Sequence, residues 1–109
     1  MHIRVVMAAL GAAAVSAIAA DAGAADPEHG EVLARTWCAE CHIVADDQTR
    51  GSADVPPFRQ IARERSDTAR DLRAFLADPH PKMPPLSLTR REIDDIVAYL
   101  ESLGPAPSQ

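Results

Sequence analysis

The sequence predicts a small all-α domain. Apolar residues recur at the helical spacing i, i+3, i+4 in several stretches, and no segment alternates convincingly as a half-buried strand would. Residues that start and stop helices flank these stretches. The segment 79–85 holds four prolines in seven residues, which excludes regular helix or interior strand there. We therefore expect three or four short helices.

The first predicted helix begins at Asp26 as N-cap, with Pro27 in the first turn. It runs toward Trp37. Val32, Leu33 and Trp37 are its expected buried positions.

Two short helices are predicted in the middle of the chain. One covers about 58–63, after two prolines, with Phe58 and Ile61 facing inward. The other starts near 66–67 and ends before Pro79, because the residue before a proline disfavours helix. Three apolar residues give it a stripe at helical spacing: Leu72, Phe75 and Leu76.

The last predicted helix has signals at both ends. Thr89 and Glu92 form a T-x-x-E capping box, and Gly104 followed by Pro105 is a stop signal. The apolar positions between them repeat at helical spacing: Ile93, Ile96, Val97, Leu100 and Leu103.

Residues 1–24 have the pattern of a signal peptide. Arg4 precedes an uncharged apolar run over 5–20, and small residues follow at an A-x-A-like cleavage site. We expect cleavage after Ala24 or one residue later, which leaves one domain over 25–109 and exports it to the periplasm. The alternative is an uncleaved membrane anchor, although the run is shorter than the roughly 20 residues that span a bilayer.

The composition indicates which partners the chain is poorly suited to bind and how little aromatic material its core contains. The net charge is −5, and a moderately acidic chain is a poor partner for nucleic acid. The chain has only two Phe, one Trp and one Tyr. Because so small a domain is marginal without a staple, a large apolar cofactor would supply interior that the side chains do not.

The segment from Cys38 to His42 reads C-x-x-C-H, the attachment signature of c-type haem. Two cysteines three residues apart can each reach a vinyl group on one edge of a porphyrin, and His42 can ligate the iron. The other ring nitrogen of His42 should donate to an acceptor. The backbone carbonyl of Pro56 is our candidate.

Other uses of the cysteine pair are weaker. A disulfide would close a tiny loop and constrain little of the unfolded chain. A zinc site needs about four ligands, and a thioredoxin-like dithiol needs a βαβ setting. Neither is visible in the sequence.

The second axial ligand is expected to be Met83, the only methionine of the predicted mature chain. It lies in the proline-rich segment, 41 residues after His42. His80 in the same segment is the rival ligand, and His29 is a remoter one. An iron with one open position remains a further alternative.

These residues resemble the class I, low-spin monohaem c-type cytochromes, and the likeness covers essentially the whole predicted mature chain. It implies a compact all-α fold around covalent haem c, whose first and last helices cross near Gly30 and Tyr99. It also implies that Cys38 and Cys41 bear the thioethers, that His42 and Met83 are axial, and that a proline carbonyl supports the histidine.

Two features depart from the family pattern. Many relatives carry an aromatic residue four positions before the first cysteine, where this chain has Ala34, so Trp37 or Leu33 would take over the helix contact. Lys82 is the only lysine, so the lysine ring of the mitochondrial relative is missing.

The expected function is one-electron transfer in the periplasm, without enzymatic activity, by a monomer that takes no small-molecule substrate. Its partners would be a periplasmic or membrane dehydrogenase or reductase as donor and an oxidase or reductase as acceptor. Rival functions are a haem enzyme or gas sensor with an open iron, a haem subunit of one complex, and a haem-free dithiol protein. Some basic residues could form a rim for a partner, or else solvated helix faces and surface ion pairs: Arg59, Arg63, Arg70, Arg73 and Lys82.

Overall fold

A computed structural model describes residues 23–64, 69–78 and 83–104 of the chain. Within these ranges all the regular secondary structure is α-helix. The helices follow in the order α1 (Pro27–Trp37), α2 (Phe58–Glu64), α3 (Ala69–Ala77) and α4 (Arg90–Leu103). The predicted all-α class is confirmed. The predicted signal peptide lies almost wholly outside the described residues, and the division at residue 24 stays a prediction.

The helices begin where local signals place them. The carboxylate of Asp26 accepts from the backbone N–H groups of Glu28 and His29, and Pro27 occupies the first turn of α1. At α4, the Thr89 side chain accepts from the backbone of Glu92, whose carboxylate accepts in return from the backbone of Thr89.

Helix α4 is the centre of the fold, because α1, α2 and α3 all pack against it. Its contact with α1 is the most extensive and is closest at Gly30. A Cβ there would overlap the backbone carbonyl of Asp95 and lie 2.9 Å from Cβ of Tyr99. The expected crossing near Gly30 and Tyr99 is confirmed.

The buried face of α1 differs from the prediction. Leu33 and Ala34 are buried beside Gly30, so Leu33 takes over the helix contact. Val32 is 60% exposed and Trp37 57% exposed, and expecting both to be buried was wrong. Val32 lies on the side of α1 opposite Gly30, and Trp37 ends the helix beside a cavity instead of the core.

The other predicted core positions are mostly inside. Phe58 and Leu72 are buried, as are four of the five apolar positions of α4, while Ile61, Leu76 and Leu103 pack against this core half-buried. Phe75 is 41% exposed and also borders the cavity. Among the described helices, none has the length and apolar character needed to cross a bilayer.

Candidate functional site: the cavity beside the cysteine turn

The C-x-x-C-H segment folds as a compact turn at the end of α1. Cys38 caps the helix, and its backbone N–H donates to Ala34 O. The backbone N–H groups of Cys41 and His42 both donate to the carbonyl of Cys38, at 3.2 and 2.9 Å. The turn is therefore anchored to the helix that packs most extensively on α4.

A cavity of about 330 Å³ lies against this turn, within the range of roughly 300–1,000 Å³ typical of cofactor sites. Cys38, Cys41, His42 and Met83 all line it. The structure thus brings together the four residues that the sequence singled out. Most other lining side chains are apolar, among them Phe58, Ile61, Leu72, Leu86, Ile96 and Leu100.

The imidazole of His42 is held from two sides. Its Nδ1 lies 2.6 Å from the carbonyl oxygen of Pro56, the contact that the sequence led us to expect. A carbonyl can only accept, so Nδ1 carries the proton and Nε2 keeps its lone pair for a metal. The ring of Phe58 stands edge-on to the imidazole, with centroids 5.5 Å apart and planes at 63°.

The two cysteines are not joined to each other and lie in different surroundings. Cys38 is buried and Cys41 is exposed. Burial raises the pKa of the Cys38 thiol to about 11. Redox-active and nucleophilic cysteines instead need a lowered pKa, so Cys38 does not have the surroundings of a reactive thiol.

Met83 is half-buried and lies in the stretch of chain before α4. It lines the main cavity and also borders a smaller one of about 230 Å³, formed by residues 84–88 and the end of α3. The rival ligand His80 lies outside the described residues. His29 does not line the cavity and is paired with Asp95, at 2.7 Å.

These residues fit a covalently bound haem. One imidazole nitrogen and one thioether sulfur can serve as axial ligands, and two thiols in one turn can bond the porphyrin edge. The apolar walls suit the body of the ring. The fit rests on the donor set and on the lining of a single cavity.

Comparison with known proteins agrees with this reading. Residues 25–100 match the family model described as "Cytochrome C oxidase, cbb3-type, subunit III". The chain is also 50% identical over 97 residues to "Cytochrome c-552" of Bradyrhizobium diazoefficiens, an alignment that covers 89% of this chain and 88% of the relative. No solved structure is significantly similar to the chain.

The chain belongs to this family of c-type cytochromes. It is a monohaem cytochrome that carries haem c, with its iron, in covalent linkage, and it transfers electrons to and from redox partners without being an enzyme. Members of the family are typically exported.

Sequence reasoning missed one residue beside the haem turn of this cytochrome. The side chain of Gln48 accepts from the backbone N–H of Val44 and donates toward three backbone carbonyls. A single glutamine in a polar loop carries no periodicity or motif signal, so nothing in the sequence pointed to it.

Two of the basic residues considered above for a rim, Arg59 and Arg73, form surface ion pairs. Arg59 pairs with Asp46 at 2.6 Å, and Arg73 pairs with Asp94 at 2.6 Å. Of the charged residues that the structure describes, the two that line the cavity are both acidic, Glu40 and Asp54. The alternative of surface ion pairs therefore holds for Arg59 and Arg73, each worth little to stability. The side chains of Arg70 and Lys82 lie outside the description.

Proposed function

We propose that this cytochrome is a periplasmic carrier that moves one electron at a time on a haem with His/Met axial ligation. Cys38 and Cys41 would bear the two thioethers, and His42 and Met83 would ligate the iron. The observation that carries the proposal is that these four side chains line one largely apolar cavity.

The haem supplies a reversible one-electron couple when it is bound. The protein's task is then to keep the site unchanged in both states. The carbonyl of Pro56 and the ring of Phe58 fix the imidazole of His42. Prolines around Met83 lower the entropy lost when the thioether is positioned.

The cavity walls also tune the reduction potential. Buried Phe58, Ile96 and Leu100 keep water from the site and lower the local dielectric. A low dielectric penalises the extra charge of the oxidised state, and a neutral thioether ligand favours the reduced one. The arrangement therefore supports a higher potential than two imidazoles would give.

Cellular location follows from the N-terminal pattern. We propose that residues 1–24 direct export and are removed, so that mature protein from the periplasmic fraction should begin at Ala25 or Asp26. Intact mass and N-terminal sequencing test this directly. Recovery of the uncleaved chain in the membrane fraction would contradict it.

The electron donor is proposed to be a periplasmic or membrane dehydrogenase or reductase, and the acceptor an oxidase or reductase. A second candidate function is service as the haem subunit of one oxidase complex. The description of the matching family model, an oxidase subunit, favours it. Stable co-purification with such a complex would support the subunit role, whereas isolation as a free monomer supports the carrier.

The axial ligand is tested with Met83→Ala. We expect the parent to show a low-spin optical spectrum that does not change when cyanide or carbon monoxide is added. The variant should bind both and have a lower potential, because the soft sixth ligand is gone. Leu86→Ala is the matched control, since Leu86 lines the same cavity but offers no ligand atom.

The same samples separate the alternatives. If Met83→Ala keeps the parent spectrum and potential while His80→Ala does not, His80 is the ligand. If the parent already binds carbon monoxide, the iron has an open position, and a sensor or enzyme becomes the better interpretation. A colourless protein from cells competent in haem attachment would contradict the whole proposal.

A further inference from the structure

Gln48 connects the haem-binding turn to the loop that follows it. Its Nε2 lies 3.0 Å from the carbonyl of Ala39, 2.7 Å from that of His42 and 2.6 Å from that of Arg50. Its Oε1 accepts from the backbone N–H of Val44 at 2.9 Å. One half-buried side chain thus serves four backbone groups.

Two of these four groups belong to the C-x-x-C-H motif itself. Ala39 lies between the cysteines, and the His42 carbonyl belongs to the residue whose imidazole faces the cavity. The carbonyl of Cys38 is taken within the turn and that of Cys41 accepts from Ser52. Gln48 therefore supplies the donor for two motif carbonyls, those of Ala39 and His42, that these backbone bonds do not reach.

The imidazole of His42 is thereby fixed through its own backbone. The His42 N–H donates to Cys38 O at 2.9 Å, its carbonyl accepts from Gln48, and its Nδ1 bonds the carbonyl of Pro56. Removing Gln48 leaves the Pro56 contact and the N–H bond to Cys38 but frees the carbonyl end of the His42 main chain. The ring orientation then depends on two polar contacts instead of three.

We propose that Gln48 is a positioning residue that holds the turn from Cys38 to His42 in the conformation that receives haem and presents His42 to the iron. The inference rests on the proposed ligation by His42. It assigns Gln48 no contact with the haem, and its two amide N–H groups carry the effect.

The donor and acceptor halves of the amide can be separated by mutation. Gln48→Glu keeps an oxygen for the N–H of Val44 but removes both donors to the carbonyls. Gln48→Leu removes both halves. Gln60→Leu is the matched control, because among the described residues the side chain of Gln60 bonds the exposed carboxylate of Glu64 on α2 and no backbone group.

Three measurements are made on protein produced with the haem-attachment machinery, the first on all chains and the other two on the haem-loaded ones. These are the fraction of chains with covalent haem, the hyperfine-shifted NMR resonances of the His42 ring in the oxidised state, and amide hydrogen exchange at Val44. Loss of the two hydrogen bonds to motif carbonyls, those of Ala39 and His42, should lower the haem-loaded fraction about tenfold in Gln48→Leu. Exchange at Val44 should speed up by a similar factor, about tenfold.

Gln48→Glu gives the decisive result. We expect displaced His42 resonances and a reduced haem fraction, as in the leucine variant, but protection of Val44 close to that of the parent. Gln60→Leu should leave all three measurements unchanged. A purely structural role predicts instead that the His42 resonances stay put in every variant that loads haem.

Unchanged His42 resonances and haem loading in Gln48→Glu would overturn the inference. Should Gln48→Leu fail to accumulate, the glutamate variant still decides it. Failure of the proposed ligation looks different, because the parent itself would then lack hyperfine-shifted histidine resonances.

Discussion

The phenol of Tyr99 donates a 2.6 Å hydrogen bond to the backbone carbonyl of Val44, and both residues are buried. This bond joins α4 to the loop that follows the haem-binding turn. The N–H of the same Val44 donates to Gln48, so one residue links the turn to the central helix. Burial raises the pKa of the Tyr99 phenol, which stays protonated as a donor at neutral pH.

Replacing Tyr99 with phenylalanine should therefore destabilise the holoprotein. The Val44 carbonyl would remain buried without its partner, at a cost of about 1–3 kcal/mol. Denaturant unfolding followed by far-UV circular dichroism measures the loss. Ser102→Ala is the control, because its hydroxyl bonds a backbone carbonyl at the helix surface and its loss should cost under about 0.5 kcal/mol. An equal loss of unfolding free energy in the two variants would show that the hydrogen bond from Tyr99 contributes no more to stability than the one from Ser102.

Gly30→Ala should lower stability, although alanine favours an isolated helix over glycine by about 1 kcal/mol. The added Cβ would overlap the carbonyl of Asp95 and force α1 away from α4. Overpacking of this kind typically costs about 1–3 kcal/mol. Thermal and denaturant unfolding of the holoprotein show whether the substitution raises or lowers its stability. A variant more stable than the parent would mean that the helices do not cross at Gly30.

The buried carboxylate of Asp95 should make the fold sensitive to acid. Burial alone would raise its pKa, but hydrogen bonds from the Asp26 N–H and from His29, both 2.7 Å long, outweigh burial and lower it. A carboxyl with a depressed folded-state pKa stabilises the protein above its unfolded pKa of about 3.9. That contribution is lost as the pH falls through the folded-state value.

Asp95→Asn tests this linkage. The variant should be less stable than the parent by about 2–3 kcal/mol at pH 7, and the difference should shrink as the pH falls below about 4. Unfolding curves at a series of pH values measure it. Asp94→Asn is the neighbouring control, because Asp94 pairs with Arg73 at a half-exposed position. A pH-independent difference for Asp95→Asn would contradict the assigned pKa shift.

The helices could be predicted because their signals are local. Asp26 and Pro27 start α1, and Thr89 and Glu92 start α4, through contacts within one turn. Burial on α1 was less predictable, because it depends on where α4 crosses. Periodicity alone could not tell that Val32 lies outside the contact or that Trp37 lies beyond it.

The candidate site also has a part that could be predicted from the sequence and a part that could not. The spacing from Cys38 to His42 is local, so its chemistry could be predicted, and prolines 56 and 57 marked a nearby acceptor. Gln48 and Tyr99 belong to no motif themselves, and each acts by donating to a backbone carbonyl far from it in sequence or in another loop. Such contacts depend on the path of the loop through space, which one sequence does not specify.

Pro56→Ala should leave the haem site intact, because the group that bonds His42 is the backbone carbonyl and not the ring. The substitution adds freedom to the unfolded chain and should lower stability by about 0.4–1 kcal/mol. Pro57→Ala is a suitable comparison, since the partners of its carbonyl in the described part of the chain are the backbone N–H groups of Gln60 and Ile61 in α2. We expect both variants to keep the parent potential and the parent His42 resonances. A shifted potential in Pro56→Ala alone would show that the stiffness of the proline, more than its carbonyl, orients the imidazole.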